Sequence, residues 1–148
     1  MKYFKLVLGV IIGLLAVTLV AEIVEFIIVK SISDKSFGYL QENQSEYFNI
    51  RNRNSILIAK IGYSLFAGII GGYLATWISK TMSNITIWIL IVIQIISLIW
   101  GGFFSDLSST GPIWMWIYLL IVVPSGIWIG YKWRTNNALQ NSVKIIEK

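Results

Sequence analysis

The chain has 148 residues, of which 56% are hydrophobic and 13% are charged, and its formal net charge is +5 at pH 7. This composition is more apolar than that of soluble domains, so we interpret residues 1–148 as one integral membrane domain. Cysteine and histidine are absent from the sequence, which excludes disulfides, Cys/His zinc sites and histidine-based nucleophile pairs. We therefore expect a non-enzymatic protein without a metal or other cofactor, and no feature of the sequence indicates nucleic-acid binding.

Four hydrophobic segments are each long enough to cross a bilayer, which requires about 17–25 residues of helix. They cover residues 6–29, 56–79, 85–104 and 113–133. The first follows a short basic N-terminus but lacks a small-x-small cleavage site, so we interpret it as an uncleaved transmembrane helix rather than a secretory signal. The sequence thus predicts an all-α fold, a bundle of four transmembrane helices with both termini on the same side.

The distribution of basic residues predicts which side holds the termini. More Lys and Arg residues lie on the side of the termini than on the other, and the connection 105–112 contains none. By the positive-inside rule this favours cytoplasmic termini in a bacterial inner membrane, with loop 30–55 outside. Tryptophans at the helix ends also predict two interfacial belts. The outer belt would contain Trp100, Trp114 and Trp116, and the inner belt Trp77, Trp88, Trp128 and Trp133.

Charged residues inside two of the predicted helices indicate a candidate site. Glu22 and Glu25 lie near the outer end of the first helix, and Lys60 lies at a similar depth in the second. Because charges within a membrane usually face the protein interior, Lys60 would pair with one of these carboxylates, or would instead extend to the outer head groups. The candidate ligand or ion-pair cluster comprises Glu22, Glu25, Lys60, Asp106, Tyr63 and Trp100. Such a cluster is either functional or a structural feature that fixes helix register.

Small residues on several helices predict close helix packing. The GxxxG spacing, which lets helix backbones approach each other, recurs along the chain, and Gln94 in the third helix is expected to hydrogen-bond across to another helix. The predicted packing residues are Gly9, Gly13, Gly68, Gly72, Gln94, Gly126 and Gly130. We expect these faces to support a homo-oligomer or a complex with another membrane protein, in addition to contacts with membrane lipids.

The largest polar part of the sequence is residues 30–55, between the first two helices. Phe37, Leu40, Tyr47 and Phe48 fall on one side of a helical wheel, which would suit a helix lying along the membrane surface. A polar loop explains the composition equally well.

Several motifs resemble those of a family of small bacterial four-helix integral membrane proteins. They are a late Glu in the first helix, the run Gly68-Ile-Ile-Gly-Gly-Tyr73, and Gly111-Pro112-Ile113-Trp114 followed by Pro124 and Gly130. In that family a His-Pro-x-Trp motif begins the fourth helix, and this chain has Gly111 at the histidine position. The family has no assigned activity, so the resemblance implies the fold and not a function.

Two further segments look like parts of the small multidrug resistance exporters, which are also four-helix proteins. They are Ala21-Glu22-Ile23 and Trp100-Gly101-Gly102-Phe103-Phe104. This resemblance implies an exporter in which Glu22 exchanges protons. The chain departs from the exporters in its long first connection, in the position of Glu22 towards one end of its helix, and in the additional Glu25 and Lys60.

These features lead to two functional hypotheses. The first is an accessory or interaction subunit whose polar cluster and glycine faces hold helices or a partner, which requires only a permanently paired carboxylate. The alternative is a small proton-coupled transporter or exporter working as a homodimer, which requires a membrane carboxylate that can change its protonation state. The contacts made by Glu22 therefore separate the two hypotheses.

Overall fold

The computed structural model describes residues 2–105 and 111–146, with side chains except at positions 37 and 139–146. The α-helices are α1 (Lys2–Ser33), α2 (Phe37–Glu42), α3 (Gln44–Arg51), α4 (Asn54–Ser79), α5 (Ser83–Ile99) and α6 (Ile113–Ile146). Within the described ranges, three helical stretches are long and apolar enough to cross a membrane. They are Lys2–Ser33, Asn54–Phe104, which contains both α4 and α5, and Ile113–Ala138. The chain is thus an all-helical, multi-pass membrane protein.

Helices α1 and α4 run antiparallel and contact each other through small residues. Gly9 lies against Ala75, and Gly13 lies against Ala75 and Gly71. A Cβ atom at position 9 would be 2.9 Å from the carbonyl oxygen of Ala75, which leaves no room for a side chain. Because both surfaces lack bulk, the amino-terminal half of α1 packs directly on the backbone of α4.

Helices α4 and α6 run parallel and approach each other closely. Gly68 lies beside Gly126, and a Cβ atom at position 68 would be 2.7 Å from the carbonyl oxygen of Val123. Gly72 contacts the backbone of Ile127 in the same way, and Gly130 contacts that of Ile69. The predicted packing glycines therefore join helices of this one chain.

A short 3-10 turn, Lys80–Met82, separates α4 from α5 and reverses the chain. Lys80 adopts a positive φ of 43°, a conformation that permits the tight turn at some cost in backbone strain. After the turn, Thr86 reaches Gly9 and Leu90 reaches Gly13, so α5 runs alongside α1 in the same direction. Helices α1 and α5 therefore run one way, and α4 and α6 run the other.

The polar segment after α1 forms two short helices, α2 and α3, so of the two alternatives offered by the sequence the polar loop is wrong and the segment is helical. The Ser36 hydroxyl accepts a hydrogen bond from the Tyr39 backbone N–H at the start of α2. Leu40 of α2 and Ile50 of α3 are buried together with residues from the adjoining ends of α1 and α4. We call this end of the bundle the capped half, because α2 and α3 cover it.

Helix α5 continues into a single π-helical turn, Trp100–Phe104, which contacts α6. A Cβ atom at Gly102 would be 2.8 Å from the indole of Trp116, so the glycine allows that ring to pack against the turn. Trp116 is only 8% exposed and belongs to the hydrophobic core, so its predicted position in an interfacial belt is wrong. Helix α6 also extends beyond its predicted end at residue 133, to Ile146.

Candidate functional site

The carboxylate of Glu25 is the centre of a buried polar cluster in the capped half. Its Oε2 atom accepts a hydrogen bond from the Tyr63 hydroxyl at 2.7 Å and forms an ion pair with Lys60 Nζ. Its Oε1 atom accepts a hydrogen bond from the Tyr47 hydroxyl at 3.2 Å and lies 3.0 Å from Arg51 Nε. The Arg51 N–H is not directed at the oxygen, so that contact is an ion pair rather than a hydrogen bond.

Three helices position this cluster. Glu25 lies on the face of α1 that contacts α4, and Lys60 and Tyr63 lie three residues apart on one face of α4. Tyr47 and Arg51 are four residues apart on α3, so they project from the same face of that helix. The cluster therefore forms only when α3 docks on the α1–α4 pair.

The surroundings of Glu25 determine how Tyr47 and Arg51 interact with it. Burial, together with the adjacent Glu25 carboxylate, raises the pKa of the Tyr47 phenol above its usual range, so Tyr47 remains a hydrogen-bond donor. Arg51 also lies over the Phe48 ring, with its guanidinium carbon 5.4 Å from the ring centroid. Around Glu25, two cations contact one carboxylate, and the second carboxylate, Glu22, attracts Lys60 without forming an ion pair with it.

A cavity of about 390 Å³ lies beside this cluster. Its volume is within the range of about 300–1,000 Å³ that is usual for small-molecule sites. Arg51, Lys60 and Glu25 line one part of the cavity, and apolar side chains such as Val17 and Leu119 line another. We refer to this space as the capped-half cavity. It combines charged and apolar walls, as a site for an amphiphilic ligand would.

The opposite half of the bundle is closed by the glycine contacts described above. Gly13 of α1 touches Leu90 of α5 there, whereas further along the same two helices the cavity is lined by Thr18 and Gln94. Thr18 and Glu22 of α1 are both exposed. The cavity therefore lies on the capped side of the Gly13–Leu90 contact, and exposed residues of α1 line it.

The structure brings together only some of the residues that the sequence analysis proposed for the site. Lys60 and Tyr63 contact Glu25, and Lys60 is not paired with Glu22. Glu22 lines the same cavity but forms no ion pair or hydrogen bond with a described residue. Trp100 is 65% exposed, stacks on Phe104 and does not line the cavity. Asp106 lies outside the described residues.

Other polar groups behave differently from expectation or were missed. Gln94 lines the cavity and makes no hydrogen bond to another helix within the described part of the chain, so the expected interhelical bond is not found. The sequence analysis did not propose Arg51 and Tyr47 for the site. Their spacing of four residues, in a segment with a helical pattern, indicates that they share one face of a helix. Trp116 also lines the cavity, and its indole N–H is buried with no acceptor among the described residues.

Comparison with known proteins assigns no family to this arrangement. No family model matches the sequence, and no curated protein or solved structure matches it. The described residues also contain no group of three or more acidic, Cys or His side chains that could hold a metal ion. The functional argument therefore depends on the geometry of the site.

Proposed function

We propose that the chain crosses a bacterial inner membrane four times, with both termini in the cytoplasm and the capped half on the outer side. The helix directions support this arrangement, because α1 and α5 run opposite to α4 and α6. The positive-inside rule gives the orientation. The cap formed by α2 and α3 would then lie at the outer membrane surface.

Single cysteines introduced into this cysteine-free chain test the orientation. A Cys at the exposed position Ser45 should react with a membrane-impermeant thiol reagent in intact cells, because α3 would face the outside. A Cys at Asn137 in α6 should react only after the membrane is permeabilised. The reverse labelling pattern would place the termini outside and the cluster in the cytoplasmic half.

For the function, we propose a non-enzymatic accessory or interaction subunit that binds a second membrane component in the capped-half cavity. The observation that carries this proposal is a preformed cavity beside a carboxylate that is already neutralised by two cations and two hydroxyl groups. Such a carboxylate keeps its charge and its geometry, as a binding wall requires. The component would be a lipid, another copy of the chain or another membrane protein.

The alternative, a proton-coupled transporter working as a homodimer, is favoured by one observation. Glu22 is exposed, lines the cavity and forms no ion pair or hydrogen bond with a described residue, so it is the membrane carboxylate that such a transporter would use. A transporter also needs a path to the other side of the membrane. Gly9 and Gly13 bring α1 against its neighbours in the opposite half, and this close packing favours a binding site over a path.

Filling the cavity tests the binding function. Ala21 lines the cavity, whereas the neighbouring Leu19 is 55% exposed and does not. Protein extracted in a mild detergent should retain a bound component that native mass spectrometry detects, and Ala21→Phe should lose it because the ring occupies the space. Leu19→Phe, the matched control, should retain it.

A different result would support the transporter. If the wild type retains no component, and proteoliposomes show proton movement coupled to a cation that Glu22→Gln abolishes, the accessory function is wrong.

A further inference from the structure

We propose that the capped-half cavity binds the headgroup of a phospholipid that carries both a phosphate and a primary ammonium group, as phosphatidylethanolamine does. This inference rests on the proposed function, because it takes the cavity as the binding site and names its ligand. The argument depends on the two cations beside Glu25, on the Glu22 carboxylate that makes no direct ion pair with them, and on the shape and lining of the cavity.

The positive charge lies at the buried end of the cavity. Both oxygens of Glu25 already have two partners each, so this carboxylate cannot also compensate a further cation. Lys60 has used one of its three donors, and the terminal amino groups of Arg51 make no hydrogen bond to a described residue. A phosphate accepts hydrogen bonds from both kinds of group, and the planar guanidinium can bind it through two donors.

The negative charge lies at the opening. Glu22 is three residues before Glu25 on α1, so the two carboxylates are about 4.5 Å apart along the helix axis. Glu22 is exposed, lines the cavity and has no cation within ion-pair distance among the described residues. An ionised carboxylate in a membrane-spanning helix is costly without a partner. A primary ammonium group would supply both the opposite charge and N–H donors.

The spacing of these charges suits one ligand. A phosphate at Arg51 and Lys60 and an ammonium group at Glu22 would be separated by roughly one turn of α1, within reach of a short two-carbon link. An anionic headgroup without the ammonium would leave Glu22 unpaired. A cationic molecule without the phosphate would leave the remaining hydrogen-bond donors of Arg51 and Lys60 unused.

The shape of the site indicates a lipid rather than a soluble molecule. A cavity of about 390 Å³ cannot enclose a whole two-chain lipid, but α1 and α5 both line it, and acyl chains can lie outside it against exposed apolar residues of α5 such as Ile96. Gln94 lines the cavity with an amide that has no hydrogen-bond partner among the described residues. Its N–H groups could bind the ester carbonyl oxygens that follow the headgroup.

Titration of delipidated protein in detergent tests the proposal, with binding measured by native mass spectrometry. Phosphatidylethanolamine should bind about tenfold or more tightly than phosphatidylglycerol, which lacks the ammonium group, since a charge-assisted hydrogen bond typically accounts for such a ratio. Phosphatidylcholine should also bind more weakly, because its quaternary ammonium has no N–H donor. Glycerophosphoethanolamine, which has the headgroup without acyl chains, should not compete.

Matched variants test which side chains recognise the headgroup. Glu22→Gln should remove most of the preference for phosphatidylethanolamine, whereas Glu42→Gln, which changes an exposed carboxylate in α2 away from the cavity, should preserve it. Arg51→Gln should weaken all phospholipids, and if that variant does not fold, Ala21→Phe tests the same cavity by filling it.

Each contrary result is distinct. Equal affinity for phosphatidylethanolamine and phosphatidylglycerol, or a preference that survives Glu22→Gln, would overturn the assignment of the ammonium group. Full competition by glycerophosphoethanolamine would show a soluble ligand instead of a lipid. If the wild-type protein retains another component that Ala21→Phe loses, while no phospholipid binds, this inference fails and the proposed function stands. If no component is retained and no phospholipid binds, both fail.

Discussion

Glu25→Gln is expected to lower the free energy of unfolding by about 3–5 kcal/mol, the usual cost of removing one partner from a buried ion pair. The substitution leaves Lys60 and Arg51 buried without their counter-charge, and it also replaces one of the two acceptor oxygens with an amide nitrogen, so one of the two tyrosine hydroxyls loses its acceptor. Unfolding in detergent, followed by circular dichroism against increasing denaturing detergent, measures the change.

Two further variants show whether the loss comes from the unpaired cations. Lys60→Met in the Glu25→Gln background should restore part of the stability, because it removes one uncompensated charge. Glu22→Gln should change stability by only about 0.5 kcal/mol, as is usual for an exposed residue without a structural contact. Equal losses for Glu25→Gln and Glu22→Gln would contradict the assignment of Glu25 as the centre of the cluster.

Gly72→Ala is expected to be the second most damaging single change, with a loss of about 3 kcal/mol. A Cβ atom at position 72 would overlap the backbone of Ile127, so α4 and α6 would have to separate along their whole contact. Backbone atoms cannot move aside as the end of a flexible side chain can. The same unfolding measurement in detergent quantifies the effect.

Gly62→Ala is the matched control, because it lies on the same helix. A Cβ atom there meets no atom within 4 Å, so alanine should be neutral or should stabilise the helix by about 0.5–1 kcal/mol. If both alanine variants behave alike, the close α4–α6 contact does not contribute to stability. The chain's oligomeric state should be unaffected by Gly72→Ala if the glycine faces serve only contacts within one chain.

The helical, membrane-spanning character of the chain could be predicted from the sequence because it depends on apolar length alone. The positions of Gly68, Gly72 and Gly126 could also be proposed as packing surfaces, since residues without bulk permit close helix approach. The sequence could not show whether those surfaces join helices of one chain or of two, because the same spacing serves both. The structure brings them together within the chain.

The site was harder to predict from the sequence. Glu22 and Glu25 are equivalent by composition and depth, and only the rotation of α1 against α4 shows that Lys60 reaches Glu25. Arg51 and Tyr47 come from a segment with a weak helical pattern, whose structure depends on docking against the ends of α1 and α4. Tertiary packing of that kind is not encoded in a local window of residues.

The separation of Glu25 from its partners along the chain affects how the protein is made. Lys60 follows Glu25 by 35 residues, so a ribosome has completed α1 before the compensating cation exists. An unpaired carboxylate opposes the entry of a single helix into the bilayer. We therefore expect α1 to remain at the insertion machinery until α4 emerges, so that the two helices enter the lipid as a hairpin in which Glu25 is already paired with Lys60.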